Sequence, residues 1–176
     1  MKTLEVKIDI SINKEAQIPR LAQLTQKTNQ FNLSTKRSTE QDLKTLIKNG
    51  AMIFSGDVSD KFGSYGITIL AIVEITNKTE AVMTTFLMSC RVMGRRIEEV
   101  FFTSVVSDLK KRGFDNLRVS FIPSKKNMPA KNFLPDIIGA KIEKKKKSGE
   151  ILYKISIPQY ILKSKRNTIP IKTNFI

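Results

Sequence analysis

Ala81–Gly113, AVMTTFLMSCRVMGRRIEEVFFTSVVSDLKKRG, is the stretch from which the fold is read. Residues 81–89 are apolar and rich in Val, Thr and Phe, the composition of a buried strand. Ile97, Val100, Phe101, Ser104, Val105, Asp108 and Leu109 then recur at helical spacing, with apolar residues at most of those positions. Between strand and helix sits Arg91-Val92-Met93-Gly94-Arg95-Arg96, a basic turn with one glycine. The first N–H groups of such a helix have no partner within it. With the helix dipole and three arginines, they predict an anion site suited to phosphate or pyrophosphate.

Working outward, Leu4–Ile12 (LEVKIDISI) alternates apolar and polar, as a half-buried strand does. Glu15–Phe31 reads as a helix with Ile18, Leu21, Leu24, Thr28 and Phe31 on one side and Pro19 in its first turn. A second helix is predicted from Ser38, with Gln41 at capping-box spacing, Leu43, Leu46 and Ile47 facing inward, and Gly50 at its stop. Met52–Val58 is a short strand, and 60–66 (DKFGSYG) has the glycines of a hairpin connection. Residues 67–75 (ITILAIVEI) are almost wholly apolar, which predicts a central strand covered on both faces. Residues 77–80 (NKTE) form the turn into the opening stretch. Beyond Gly113, Leu117–Ile122 is a strand, and Ser124–Ile138 is a loop with a short, imperfect helix. Lys141–Lys146 and Ile151–Ile157 pair as a final hairpin. The order predicts an α/β fold: a mixed central sheet with helices on both faces. One domain is expected over 1–158, with 159–176 as a surface extension of little pattern.

Composition narrows the function. The chain has 176 residues, 31 Lys plus Arg against 16 Asp plus Glu, and a net charge of +15. That balance favours a negatively charged partner without choosing among nucleic acid, a phosphorylated cofactor, an anionic membrane or an acidic protein. One cysteine, Cys90, excludes a disulfide within the chain, and with no histidine a structural metal site is not expected. No apolar run approaches the roughly 20 residues of a membrane span. The alternating, charged start MKTLEVKIDIS is no signal peptide, so a soluble cytoplasmic protein is expected.

The order of elements and the 91–96 turn resemble the GNAT acyltransferase superfamily, whose signature is Q/R-x-x-G-x-G/A between the fourth strand and the next helix. Arg91 and Gly94 match it, and Arg96 stands where Gly or Ala is usual. The resemblance implies that Ser89, Arg91, Val92, Met93, Gly94, Arg95 and Arg96 hold the pyrophosphate of acyl-CoA. It also implies that backbone groups of splayed central strands polarise the thioester. The later KKNMPAKNFLPDIIGAKI is similar to the family's N-x-P-A-x-x-F-Y helix through Asn127, Pro129, Ala130 and Phe133. That adds Asn127 to the cofactor set and places Leu134 where a tyrosine general acid is common. A closer resemblance covers nearly the whole chain. RLAQLTQKTNQFNLSTKR (20–37), DKFGSYG (60–66) and FLMSCRVMGRRIE (86–98) look like the C-terminal, GNAT-like half of FkbH-like proteins. Those join the module to a HAD-type phosphatase-like domain and resemble glyceryl transferases that load a phosphopantetheine thiol on an acyl carrier protein. The implied partners are an acyl carrier protein and a HAD-type domain, upstream or on a separate chain. The HAD motif D-x-D-x-T does not occur here.

Each candidate residue has a plainer reading. Cys90 is either a small packed hydrophobe, the commoner case, or a thiolate that carries an acyl group. Glu74 is either the exposed end of its strand or a buried general base, and Glu98 is a second candidate base. Gln26, Lys27, Asn29, Gln30 and Asn32 form either a solvated helix end or an acceptor- and partner-binding loop, with Asp60 as turn chemistry or as its border. Lys144–Lys147 is a solvated hairpin tip or a dock for an acidic surface. Three functions follow: acyl transfer, non-catalytic binding of a phosphopantetheine arm and, ranked last, nucleic-acid binding. The basic residues are dispersed, there are only three Tyr and no Trp, and no RNP- or zinc-finger-like motif is present.

Overall fold

A computed structural model describes residues 5–166 and 169–176; Leu4, the predicted start of the first strand, lies outside them. The strands are β1 (Val6–Ile12), β2 (Phe31–Asn32), β3 (Met52–Asp60), β4 (Gly63–Ile75), β5 (Glu80–Met88), β6 (Asn116–Phe121), β7 (Lys141–Lys145), β8 (Ile151–Ser156) and β9 (Ile171–Phe175). The helices are α1 (Ile18–Lys27), α2 (Glu40–Lys48), α3 (Ile97–Lys111) and α4 (Ile157–Ser164). One sheet runs β7-β8-β6-β5-β4-β3-β1-β9, with β2 attached to β5. Most neighbours are antiparallel, while β5–β6 and β1–β9 are parallel. The predicted mixed sheet with helices on both faces is what forms.

The two faces are filled by different helices. Leu21, Leu24 and Leu43 of α1 and α2 pack on Ile53, Leu70, Ile72 and Leu87. On the other face Phe101, Phe102 and Val105 of α3 cover Ile8, Phe54, Ile69 and Phe86. Burial on both faces explains the unbroken apolar run of β4. α2 starts one residue later than the sequence predicts. Thr39 is the N-cap, and its hydroxyl and the Asp42 carboxylate exchange hydrogen bonds with each other's backbone.

Two expectations fail. The first helix stops at Lys27, so Phe31 belongs to β2 rather than to the helix. The C-terminal residues are no patternless extension. α4 lies against α3 and buries Ile157, Tyr160 and Ile161, and β9 pairs in parallel with β1 as the sheet's edge. The Tyr160 hydroxyl sits 2.8 Å from Thr103 Oγ1, and burial pushes its pKa up to about 12. Among the described residues, no helix is long and apolar enough to cross a membrane.

Candidate functional site

The middle of the sheet opens at one end. β5 and β6 pair only over Glu80–Met83 with Asn116–Val119, then part. The gap is filled by the chain itself. Phe31 and Asn32 pair with Met88 and Leu87 of β5. The Leu33 N–H donates to the Phe86 carbonyl at 2.9 Å, and the Ile122 N–H donates to the Leu33 carbonyl at 2.8 Å. Phe31 meets Phe86 and Phe133 edge to face, with centroids 6.2 and 5.3 Å apart. Two asparagines fix the segment. Asn127 is buried; its amide nitrogen donates to the Asn32 and Ile122 carbonyls, both at 2.9 Å, and its oxygen accepts from the Ser124 N–H. Asn32 is also buried; its amide donates to the Thr28 carbonyl and its oxygen accepts from the N–H groups of Ser34 and Thr35. Both side chains, predicted to touch ligand, spend their polar groups on holding this segment.

β5 ends in a turn that delivers the chain to α3. Val92 is buried and Met93 packs on the core. Gly94 has φ +80° and is exposed, with nothing within 4 Å of the position a Cβ would take. Arg96, the N-cap of α3, has a left-handed backbone at φ 60°. The three arginines separate. Arg96 is bonded to the Glu99 carboxylate, Arg95 donates to Asp60 at 2.8 Å, and Arg91 stays exposed with its Nε 3.5 Å from Ser89 Oγ. The first turn of α3 already carries acids. Burial pushes the Glu98 carboxyl above its ordinary range, although its own N–H bonds it, and its Oε2 is buried without a partner among the described residues.

Asp60 closes the hairpin side of this end. Its carboxylate has no exposed surface. Enclosure pushes its pKa up, but the Phe62 N–H, the Tyr65 hydroxyl and Arg95 outweigh that and hold it below the usual range. Tyr65 in turn lies under the Arg95 guanidinium, 4.8 Å from the ring centroid. A depressed carboxyl pKa stabilises the fold above the unfolded value, near pH 3.9, and loses that contribution as pH falls through the folded value. Asp60→Asn should therefore flatten the loss of stability as pH falls below about 4. Urea melts across that range check it; parallel curves for variant and parent would refute it.

On the α1 face a cleft of about 480 Å³ separates the end of α1 from the end of β5. Lys27, Asn29, Gln30, Ser89, Cys90 and Arg91 line it, so part of the predicted acceptor loop meets part of the predicted cofactor turn. Cys90 is exposed, which removes the packed-hydrophobe reading. Gln26 instead bonds the Ser38 carbonyl, and Arg37 ties the Thr25 and Gln26 carbonyls to the Asn29 side chain. Glu74 is elsewhere. It pairs with Val82, six residues of strand before Met88 and on the order of 20 Å from the turn, so it and Cys90 cannot act at one reacting centre. Arg20, which also lines the cleft, was not a predicted site residue. Its spacing from Lys27, two helical turns, is the signal that places both on one face.

No family model and no curated protein matches the chain. Solved structures do. The ribosomal-protein-S18-alanine N-acetyltransferase of Escherichia coli superposes with a TM-score of 0.64 at 14% identity, covering 85% of this chain and 94% of that one. A domain from Methanocaldococcus jannaschii gives 0.66 at 14%, covering 86% and 99%. The PaiA N-acetyltransferase of Thermoplasma acidophilum, in complex with coenzyme A, gives 0.64 at 12%, covering 85% and 98%. This is the GNAT fold. In it, the parting of β5 from β6 and the turn after β5 are the parts that the sequence resemblance assigned to a thioester and its phosphates.

Proposed function

We propose that the chain is an acyl-transfer module of the FkbH-like type, taking an acyl-CoA or the acylated phosphopantetheine arm of a carrier protein at the β5–turn–α3 end of its sheet. The observation that carries this reading is Gly94. It joins a central strand to a helix on a GNAT fold, at a left-handed φ and with open space beside it. The backbone there is free to approach a phosphate. Cys90 is the nucleophile at hand: its thiolate would attack a thioester carbonyl, take the acyl group and release the incoming thiol. The charge of +15 and the exposed Lys144–Lys147 tip suit an acidic carrier protein. A HAD-type domain would supply the acyl unit, and the setting would be the cytoplasm.

Gly94→Asp should weaken coenzyme A or carrier binding at least tenfold by calorimetry. Its thermal melt should move little, because nothing lies within 4 Å of the added Cβ and the left-handed φ costs on the order of 1 kcal/mol. Unchanged affinity would refute the assignment.

One observation favours a second reading, a non-catalytic module that binds the arm without turning it over. The gap between β5 and β6, where a thioester would lie, is closed by 31–33, and buried Leu134 stands where the family often has a tyrosine. Binding of acyl-CoA or acyl-carrier thioester without turnover selects this reading.

A further inference from the structure

We propose that the cleft between α1 and the end of β5 is a phosphate-binding site, with Arg20, Lys27 and Arg91 as its cations and Asn29 and Gln30 as neutral donors. The site lies beside the closed gap rather than in it, and it stands whether or not the module turns over a thioester.

Charge placement argues for it first. Arg95 and Arg96 are matched to Asp60 and Glu99, and Arg118 to Glu80 and Glu143. Arg20 and Arg91 have no ion pair among the described residues, and no acidic residue is among those that line the cleft. They are neighbours: burial, and then the charge of Arg91, push the Arg20 pKa down. Two guanidinium groups set together without a carboxylate repel each other, and an anion between them relieves that.

Arg20 is also held in position. Its Nε donates to the Ile67 carbonyl at 3.2 Å, and one terminal nitrogen bonds the Gln23 side chain. A guanidinium fixed on one edge keeps its remaining donors as a prepared fork, which loses little freedom on binding a tetrahedral oxyanion. Phosphate fits better than carboxylate here. A phosphomonoester carries up to two negative charges against three cations, and its three free oxygens match the spread of donors around the cleft. The volume of about 480 Å³ leaves room for the rest of a small phosphate ester.

Cys90, the only cysteine, is exposed in this cleft and reports on it. Its alkylation by anionic iodoacetate and by neutral iodoacetamide, at one pH, gives a rate ratio in which the thiolate fraction cancels. In the folded protein that ratio should exceed the ratio in the urea-unfolded chain about fivefold. Inorganic phosphate should slow alkylation saturably at constant ionic strength, and the double variant Arg20→Gln/Arg91→Gln should lose both effects. Lys27→Gln, an exposed change on α1, should lose part of each and serves if the double variant does not fold. Protection by glycerol phosphate but not by coenzyme A places the phosphate on a small acceptor; protection by coenzyme A that the double variant loses places it on the cofactor. Equal ratios in folded and unfolded chains, or protection by chloride equal to that by phosphate, overturn the proposal. Absence of acyl turnover leaves the ratio as it was, so the two readings fail separately.

Discussion

Gly56→Ala should destabilise the protein by about 3 kcal/mol, a fall in melting temperature of roughly 6–12 °C for a chain of this size. Gly56 is a buried residue of β3, paired with Ile10 on one side and Ile69 on the other. A methyl group there would overlap the Ile69 Cγ2 methyl, sit 3.0 Å from Ile8 Cγ2 and approach Phe101 Cδ2 at 3.2 Å. Those atoms come from three elements, β4, β1 and α3, and all three side chains are fully buried. Relief for one crowds the next, because interiors at crystal-like density have no slack. The missing Cβ lets α3 lie close over the sheet's centre, and α3 carries the turn at its start. Thermal and urea melts measure the effect; a shift of under 2 °C would show that the core yields at this point.

That glycine shows where sequence reading stops. In FSGDV it sits between polar neighbours as an ordinary strand glycine, and nothing local says that a methyl of another strand occupies the space beside it. The long periodic elements were legible because their apolar residues repeat at one spacing and both faces of β4 are covered. α3 and β5 start within a residue of their predicted positions, β4 starts four residues before Ile67, and the mixed sheet with helices on both faces follows from their order. β9 was hidden for the opposite reason. It is short, its partner β1 lies more than 150 residues away in the chain, and one covered edge strand has little pattern of its own. The site was half legible. Ser89, Cys90 and Arg91 of the turn meet Lys27, Asn29 and Gln30 of the loop in one cleft, while Arg95 and Arg96 turn away to Asp60 and Glu99. The density of Asn, Gln and Arg in QKTNQFNLSTKR, which points to a partner when read alone, instead closes on itself through Asn32 and Arg37. Sequence shows hydrogen-bonding capacity but not whether the chain has already used it.

The second large effect tests that closure. Asn127→Ala should cost about 3 kcal/mol, because it strips the buried carbonyl of Asn32, the part-buried carbonyl of Ile122 and the Ser124 N–H of their partner at once. Asn32→Ala should cost a similar amount through the Thr28 carbonyl and the Ser34 and Thr35 N–H groups. The two should not add. Asn127 holds the backbone carbonyl of Asn32, so either change releases the same segment, and the double variant should fall short of the sum by about 1 kcal/mol or more. Additive losses would show that the two amides stabilise separate structures. Release of the segment also decides how the gap between β5 and β6 is used. If a pantetheine arm binds there, it must displace 31–33, and its affinity carries the cost of that opening. Loosening the segment by 2 kcal/mol then raises coenzyme A affinity by up to about thirtyfold, although the protein is less stable. If 31–33 is a permanent part of the sheet and the arm stays outside, affinity does not rise with loosening. Calorimetry of Asn127→Ala at a temperature where it remains folded separates the cases. A rise supports the acyl-transfer reading, with the segment as its gate. An unchanged value supports the binding module, in which Phe31 and Asn32 stay as a permanent strand beside β5.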